Sequence, residues 1–136
     1  MTTIAREDDT DAWLDQPEAS WTPMAATQTV SFGTFVSGDP FGNGLRVRYF
    51  LRDEDGVLQA KVWFGPGTQG PPGHAHGGSI ASILDEAMGA AAWSAGHAVV
   101  AAELTTRFRR MLPLESCGIV EARVVSTDGR KFRPVA

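Results

Sequence analysis

The sequence holds one cysteine, Cys117, in 136 residues. A single thiol excludes an internal disulfide and a zinc site built on several thiolates. Cys117 sits in a strand-like run, where a lone cysteine reads first as a small core residue. Long apolar runs are missing too: no stretch approaches the roughly 20 residues that span a bilayer. The opening MTTIAREDDTDAW is polar and acidic, and it lacks the basic start and apolar stretch of a secretory signal. The expectation is a cytoplasmic protein with no membrane partner. Positive charge is also short. Twelve Lys and Arg against 16 Asp and Glu leave a net charge of −4, which argues against nonspecific nucleic-acid binding. With 43% hydrophobic and 21% charged residues the chain is globular rather than disordered, of a length for one core.

The charge is unevenly placed. Residues 1–20 hold six acids and one base, and residues 107–133 hold seven bases and three acids. Residues 1–44 read as an acidic arm, partly irregular, with one short helix near Ala12–Leu14. Residues 45–136 carry the sharper patterns. Leu45, Val47, Tyr49 and Leu51 alternate with Arg46, Arg48, Phe50 and Arg52, the period of a half-buried strand. Asp53-Glu54-Asp55-Gly56 supplies a hairpin turn. Leu58, Ala60, Val62 and Phe64 then alternate with Gln59, Lys61 and Trp63 as a second strand. A loop rich in Gly and Pro leads to a helix from Gly77 or Gly78 to about Gly96. Further strands are expected at Ala102–Phe108 and Val120–Val124, with a short one opening at Lys131 after an Asp128-Gly129 turn. Antiparallel strands with one long inserted helix read as α+β, a sheet packed on a helix.

That helix has two stripes. Ile80, Ile83, Leu84, Ala87, Met88 and Ala91 form the side expected to meet the sheet. Gly78, Ser82, Asp85, Gly89, Ala92 and Gly96 form a second line, small apart from one carboxylate. Glycine inside a helix costs roughly 1 kcal/mol against alanine, a cost that makes sense where another backbone or a narrow ligand comes close. The alternative is tight packing, with Asp85 pointing at water or at a backbone donor. Glu86 reads as a solvent-facing acid on the far side.

The first N–H groups of a helix have no partner within it and carry the positive end of its dipole. Gly77 and Gly78 leave those donors unobstructed, so they can hold a developing oxyanion; the simpler reading is a loop-to-helix turn. Asp85 lies seven residues beyond Gly78, about 10 Å along the axis at 1.5 Å per residue. One helix cannot readily bring both groups to one reacting carbon. Two helices antiparallel across a two-fold axis can, so the spacing suggests a homodimer with two composite sites.

These residues resemble the hotdog-fold acyl-CoA thioesterases, in the branch of the phenylacetate-pathway and mitochondrial thioesterase superfamily members. The likeness lies in Gly70-Pro71-Pro72-Gly73, in His76-Gly77-Gly78, in Asp85 nine residues after that histidine, and in Gly89. Leu104 to Leu114 and Gly129-Arg130-Lys131 resemble later segments of the family. The likeness covers about residues 45–136. It implies a hotdog fold, an antiparallel sheet wrapped around one long central helix, assembled as a homodimer or a dimer of dimers. It implies hydrolysis of an acyl-CoA to free acid and CoA, with Gly77 and Gly78 amides on the thioester oxygen, Asp85 as general base or nucleophile, and His76 as a positioning group.

His74 and Ser82 are expected near the substrate. Arg107, Arg109 and Arg110 are candidates for the CoA phosphates, since guanidinium suits phosphate; the alternative is an exposed strand face. No metal or organic cofactor is implied, although His74, His76 and Asp85 offer ligand types. Ala101 stands where many relatives carry a hydroxyl that orients water, and Met111 stands for a proline. The family continues through a full fifth and a sixth strand, so the C-terminal strands are expected to be short here. The second reading is a module that binds an acyl-CoA or small ligand without hydrolysis.

Overall fold

The computed structural model describes residues 2–3, 7–24, 34–128 and 131–135. In chain order the elements are β1 (Thr2–Thr3), α1 (Glu7–Asp15), β2 (Trp21–Pro23), β3 (Leu45–Arg52), β4 (Leu58–Phe64), α2 (Gly77–Ser94), β5 (Ser116–Asp128) and β6 (Lys131–Val135). The strands form one antiparallel sheet in the order β1-β5-β4-β3-β2, with β6 beside β5. The fold is α+β, a sheet packed on one long helix. The Gly129-Arg130 part of the expected turn lies outside the described residues.

The β3–β4 hairpin closes where the turn residues demand. Gly56 takes a left-handed φ of 70°, which glycine adopts without a Cβ clash. Asp55 Oδ1 accepts the Val57 N–H at 3.1 Å and also meets the Arg52 guanidinium, so register is fixed with Leu51 opposite Leu58.

One face of the hairpin packs on α2. Val47, Tyr49, Leu58, Ala60, Val62 and Phe64 share a core with Ile83, Ala87 and Ala91. The opposite face departs from the half-buried expectation, because every residue of β4 is buried. The acidic arm covers it. Asp11 pairs with Arg46 at 3.4 Å, Asp15 with Arg48 at 2.6 Å and Glu18 with Lys61 at 2.8 Å. Lys61, only 1% exposed, also donates to the carbonyls of Trp13 and Gln16 at the end of α1. Its ammonium sits 4.5 Å from the Trp13 ring, a cation–π contact strengthened by desolvation. Leu14 and Trp63 pack over Cys117 behind it.

Helix α2 runs Gly77–Ser94, five turns, and stops at Gly96 with φ 90°. Its buried line is Ile83, Ala87, Ala91 and Ala92, narrower than the expected stripe. Leu84 and Met88 are half-buried, and Ala92 is inside rather than on the open line. Glu86 is the larger correction: it is three residues from Ile83 and one from Ala87, which puts it at the edge of the sheet-facing side, not on the far side. The expected strand at Ala102–Phe108 is not in the sheet. Among the described residues, 100–111 make no backbone hydrogen bond to a strand, and Val100, Leu104, Phe108 and Met111 are exposed. The sheet instead passes from β4 directly to β5.

Candidate active site

Helix α2 begins on a tightly fixed turn. Thr68, buried, holds Gly65 O through its hydroxyl at 2.8 Å, and its own carbonyl accepts the His76 N–H at 2.7 Å. Ala75 N–H donates to Leu112 O at 2.8 Å. Gly70 crosses so near that an added Cβ would lie 2.8 Å from His76 Cα. The backbone of His76 is thereby set before the helix starts.

His76 is the N-cap. It is extended, with φ −66° and ψ 139°, and its Nδ1 accepts the Gly78 N–H at 2.8 Å. An accepting Nδ1 requires the neutral ring with its proton on Nε2. The His76 carbonyl takes the Ser79 N–H and hydroxyl. Gly78 is therefore already engaged. The Gly77 N–H, by contrast, has no partner among the described residues. The two glycines differ in role: one amide ties the cap, and the other is left open at the positive end of an 18-residue helix.

A cavity of ≈ 330 Å³ opens at this end, lined by Gly77, Ile80, His74, Phe108, Arg109 and Arg110 among others. The Phe108 ring lies 3.4 Å from where a Gly77 Cβ would be. The arrangement is an apolar wall beside an open N–H, with two arginines among the lining residues. An acyl chain or aromatic ring fits the wall, an oxyanion the amide, and phosphate the arginines. His74 lines this cavity while donating its Nδ1–H to Pro72 O at 2.9 Å.

The remaining expected residues are elsewhere. Arg107 is exposed and outside the lining. The Ser82 hydroxyl donates to Gly78 O at 2.6 Å, which turns it to its own helix. Asp85 is exposed and has no hydrogen-bond or ion-pair partner among the described residues. It lies eight residues past Gly77, about 12 Å along the axis. The structure thus brings His74, Gly77, Arg109 and Arg110 together and leaves Asp85 on a different part of α2.

Sequence reasoning missed one pair. The Tyr49 hydroxyl donates to Glu86 Oε1 at 2.6 Å. Burial foremost, then the Glu86 charge and the hydrogen bond, push the Tyr49 phenol far above its ordinary value. A signal was present: a tyrosine on the core face of a strand carries a hydroxyl that needs a buried partner. Cys117 is fully buried, and burial pushes its thiol up to about 11 despite the nearby Lys61 charge, so it is a core residue and no nucleophile. Among the described residues no cluster of His, Cys, Asp and Glu could hold a metal, and no helix is long and apolar enough to cross a membrane.

A sequence model of the thioesterase superfamily matches residues 72–133. Acyl-coenzyme A thioesterase THEM4 of Xenopus laevis is 39% identical over 113 residues, 71% of this chain and 51% of that protein. Acyl-coenzyme A thioesterase THEM5 of Homo sapiens is 34% identical over 71 residues, 51% of this chain and 29% of its own. A crystal structure of a thioesterase superfamily protein superposes with a TM-score of 0.63 at 33% identity, covering 71% of this chain and 46% of that one. The chain spans about half the length, or less, of these relatives.

Proposed function

The chain belongs to the thioesterase superfamily, and on that premise we propose that it hydrolyses an acyl-CoA thioester to free acid and CoA. The observation that carries this reading is the open Gly77 N–H beside the Phe108 wall and the Arg109–Arg110 pair. In this reading the thioester carbonyl lies against Gly77, whose amide and helix dipole stabilise the oxyanion as it forms. His76 holds Gly78 in the cap and so keeps Gly77 pointing outward. Arg109 and Arg110 take the CoA phosphates.

The attacking group is Asp85 of a second copy, as general base for water or as the nucleophile itself. Its distance of about 12 Å from Gly77 on one helix is too long for one reacting carbon, where groups must converge within roughly 3 Å. Two further observations support a homodimer. An added Cβ at Gly89 would meet nothing within 4 Å, so nothing among the described residues accounts for a helix-weakening glycine beside Asp85. Residues 101–109 keep a strand's alternation without a strand partner among the described residues.

A second reading, binding of an acyl-CoA without hydrolysis, is favoured by one observation: among the described residues none is hydrogen-bonded or ion-paired to Asp85 that could help it orient a water. A thiol-release screen over aliphatic and aromatic acyl-CoAs separates the two. Hydrolysis by the wild type, reduced at least ~10²-fold in Asp85→Asn, is expected for a lost base. Saturable binding with no thiol released would leave only the second reading.

A further inference from the structure

Resting on the reading of Asp85 as the reacting acid, we propose that Tyr49 and Glu86 are positioning residues that fix the rotation of α2 and thereby the direction in which Asp85 faces. Successive helix residues point about 100° apart. Glu86 is turned to the sheet, where Tyr49 from β3 holds it at 2.6 Å, and Asp85, the preceding residue, is turned out into the open.

The rest of the helix–sheet contact near this turn turns the apolar side of α2 to the sheet but fixes its angle more loosely. Ile83 and Ala87 meet Val47, Leu58, Ala60 and Val62 in the same core, and such apolar contacts are non-directional. Alanine at 87 and 91 lets α2 lie close to the strands but gives them little to interlock with. A hydrogen bond is different, because it weakens steeply when bent or stretched. Tyr49 is 6% exposed, so its ring is held on all sides and its hydroxyl is a fixed point. The bond acts one residue from the acid whose aim matters. A displacement of about 1 Å at a reacting group can cost on the order of 10²-fold in rate.

The pair acts through geometry and not through charge, which separates it from a simple electrostatic neighbour of Asp85. Tyr49→Phe removes the donor and keeps the ring in the core. Glu86→Ala removes the acceptor, and Glu86→Gln keeps an acceptor oxygen while removing the charge. Thioester hydrolysis and melting temperature are measured for these three, for the double variant Tyr49→Phe/Glu86→Ala, and for Asp85→Asn. The expected result is a loss of kcat on the order of 10-fold or more in Tyr49→Phe and Glu86→Ala with KM unchanged. The double variant should lose no more than either single one, and Glu86→Gln should stay near wild type. A kcat equal to wild type in Tyr49→Phe, with Asp85→Asn inactive, overturns the proposal alone. So does a Glu86→Gln variant as slow as Glu86→Ala, since charge would then be the cause. Activity retained in Asp85→Asn, or none in the wild type, removes the hydrolytic reading itself and this proposal with it.

Discussion

Tyr49 on β3 donates its hydroxyl to Glu86 on α2 at 2.6 Å, and it is the only tyrosine in the chain. Its ionisation can therefore be followed without interference from another phenol. Burial and the Glu86 carboxylate both oppose the tyrosinate. The native state keeps a proton that the unfolded chain releases at the ordinary value near 10. Stability from this group is full below pH ~10 and falls as pH rises beyond it. Tyrosinate absorbance should stay absent through that ordinary range in the folded protein and appear only as the fold is lost. Cys117 acts in the same direction between 9.0 and about 11, so the titration is best run on a Cys117→Ala background, where Tyr49→Phe should remove most of the remaining alkaline slope.

The neighbouring glycines of the helix start should respond to alanine in opposite ways. A Cβ on Gly77 reaches Phe108 at 3.4 Å, ordinary contact, whereas one on Gly78 lies 2.9 Å from His76 Nδ1. Gly78→Ala should disturb the N-cap and lower stability by about 1 kcal/mol, the usual worth of a cap. Gly77→Ala should leave the melting temperature within a few degrees of wild type, yet narrow the cavity mouth beside the open N–H and reduce kcat/KM at least ~10-fold if the oxyanion sits there. Thermal melts and steady-state kinetics on both variants check this. Equal behaviour of the two would contradict the division of labour between the amides.

Much of this arrangement was legible in the sequence, because local rules governed it. The β3–β4 alternation, the Asp55-Gly56 turn and the start and stop of α2 follow from side-chain period and glycine placement. The open amide end was legible too, though not which glycine is open, since that depends on where the His76 ring turns. Tertiary cover was the part that periodicity could not read. Arg46 and Lys61 sit where alternation marks solvent, and they are buried because an acidic arm more than 25 residues upstream lies over them. The clue was compositional: acids in the arm, bases on the outer face. Ala102–Phe108 alternates as well as any strand in the chain, but alternation records a suitable surface, not the neighbour that would pair with it. Glu86 was misassigned by reading the helix as two stripes, when the i+3 step from Ile83 already carried it to the sheet side.

The arm should depend on one buried cation. Lys61 is bonded to two carbonyls of the α1 end and to Glu18. Lys61→Met keeps the apolar stem and removes the ammonium, so the two carbonyls lose their donor. A loss of about 1–3 kcal/mol is expected for groups left unsatisfied. The loss should be local in character: amides of α1 should exchange faster by hydrogen exchange while those of α2 keep their protection. Uniform loss over both helices would mean that the arm and the core melt together.

The last prediction concerns how two copies would meet. If residues 101–109 pair antiparallel with the same residues of a second copy, a two-fold axis through Thr105 sets Glu103 opposite Arg107 twice, Leu104 opposite Thr106, and Ala102 opposite Phe108. Directly opposed side chains on one face lie about 4.5–5.5 Å apart, and opposite charges there stabilise while like charges repel. A self-complementary register of this kind is what an isologous interface requires. Glu103→Arg and Arg107→Glu alone each create two like-charged pairs and should weaken the dimer at least ~10-fold in sedimentation equilibrium. The double exchange restores both pairs in reversed order and should recover association. Because Asp85 and Gly77 would meet only across that interface, thioester hydrolysis should fall and return with the dimer at limiting protein concentration. A wild-type monomer would remove the composite-site reading. A wild-type dimer indifferent to both single reversals would move the axis away from Thr105.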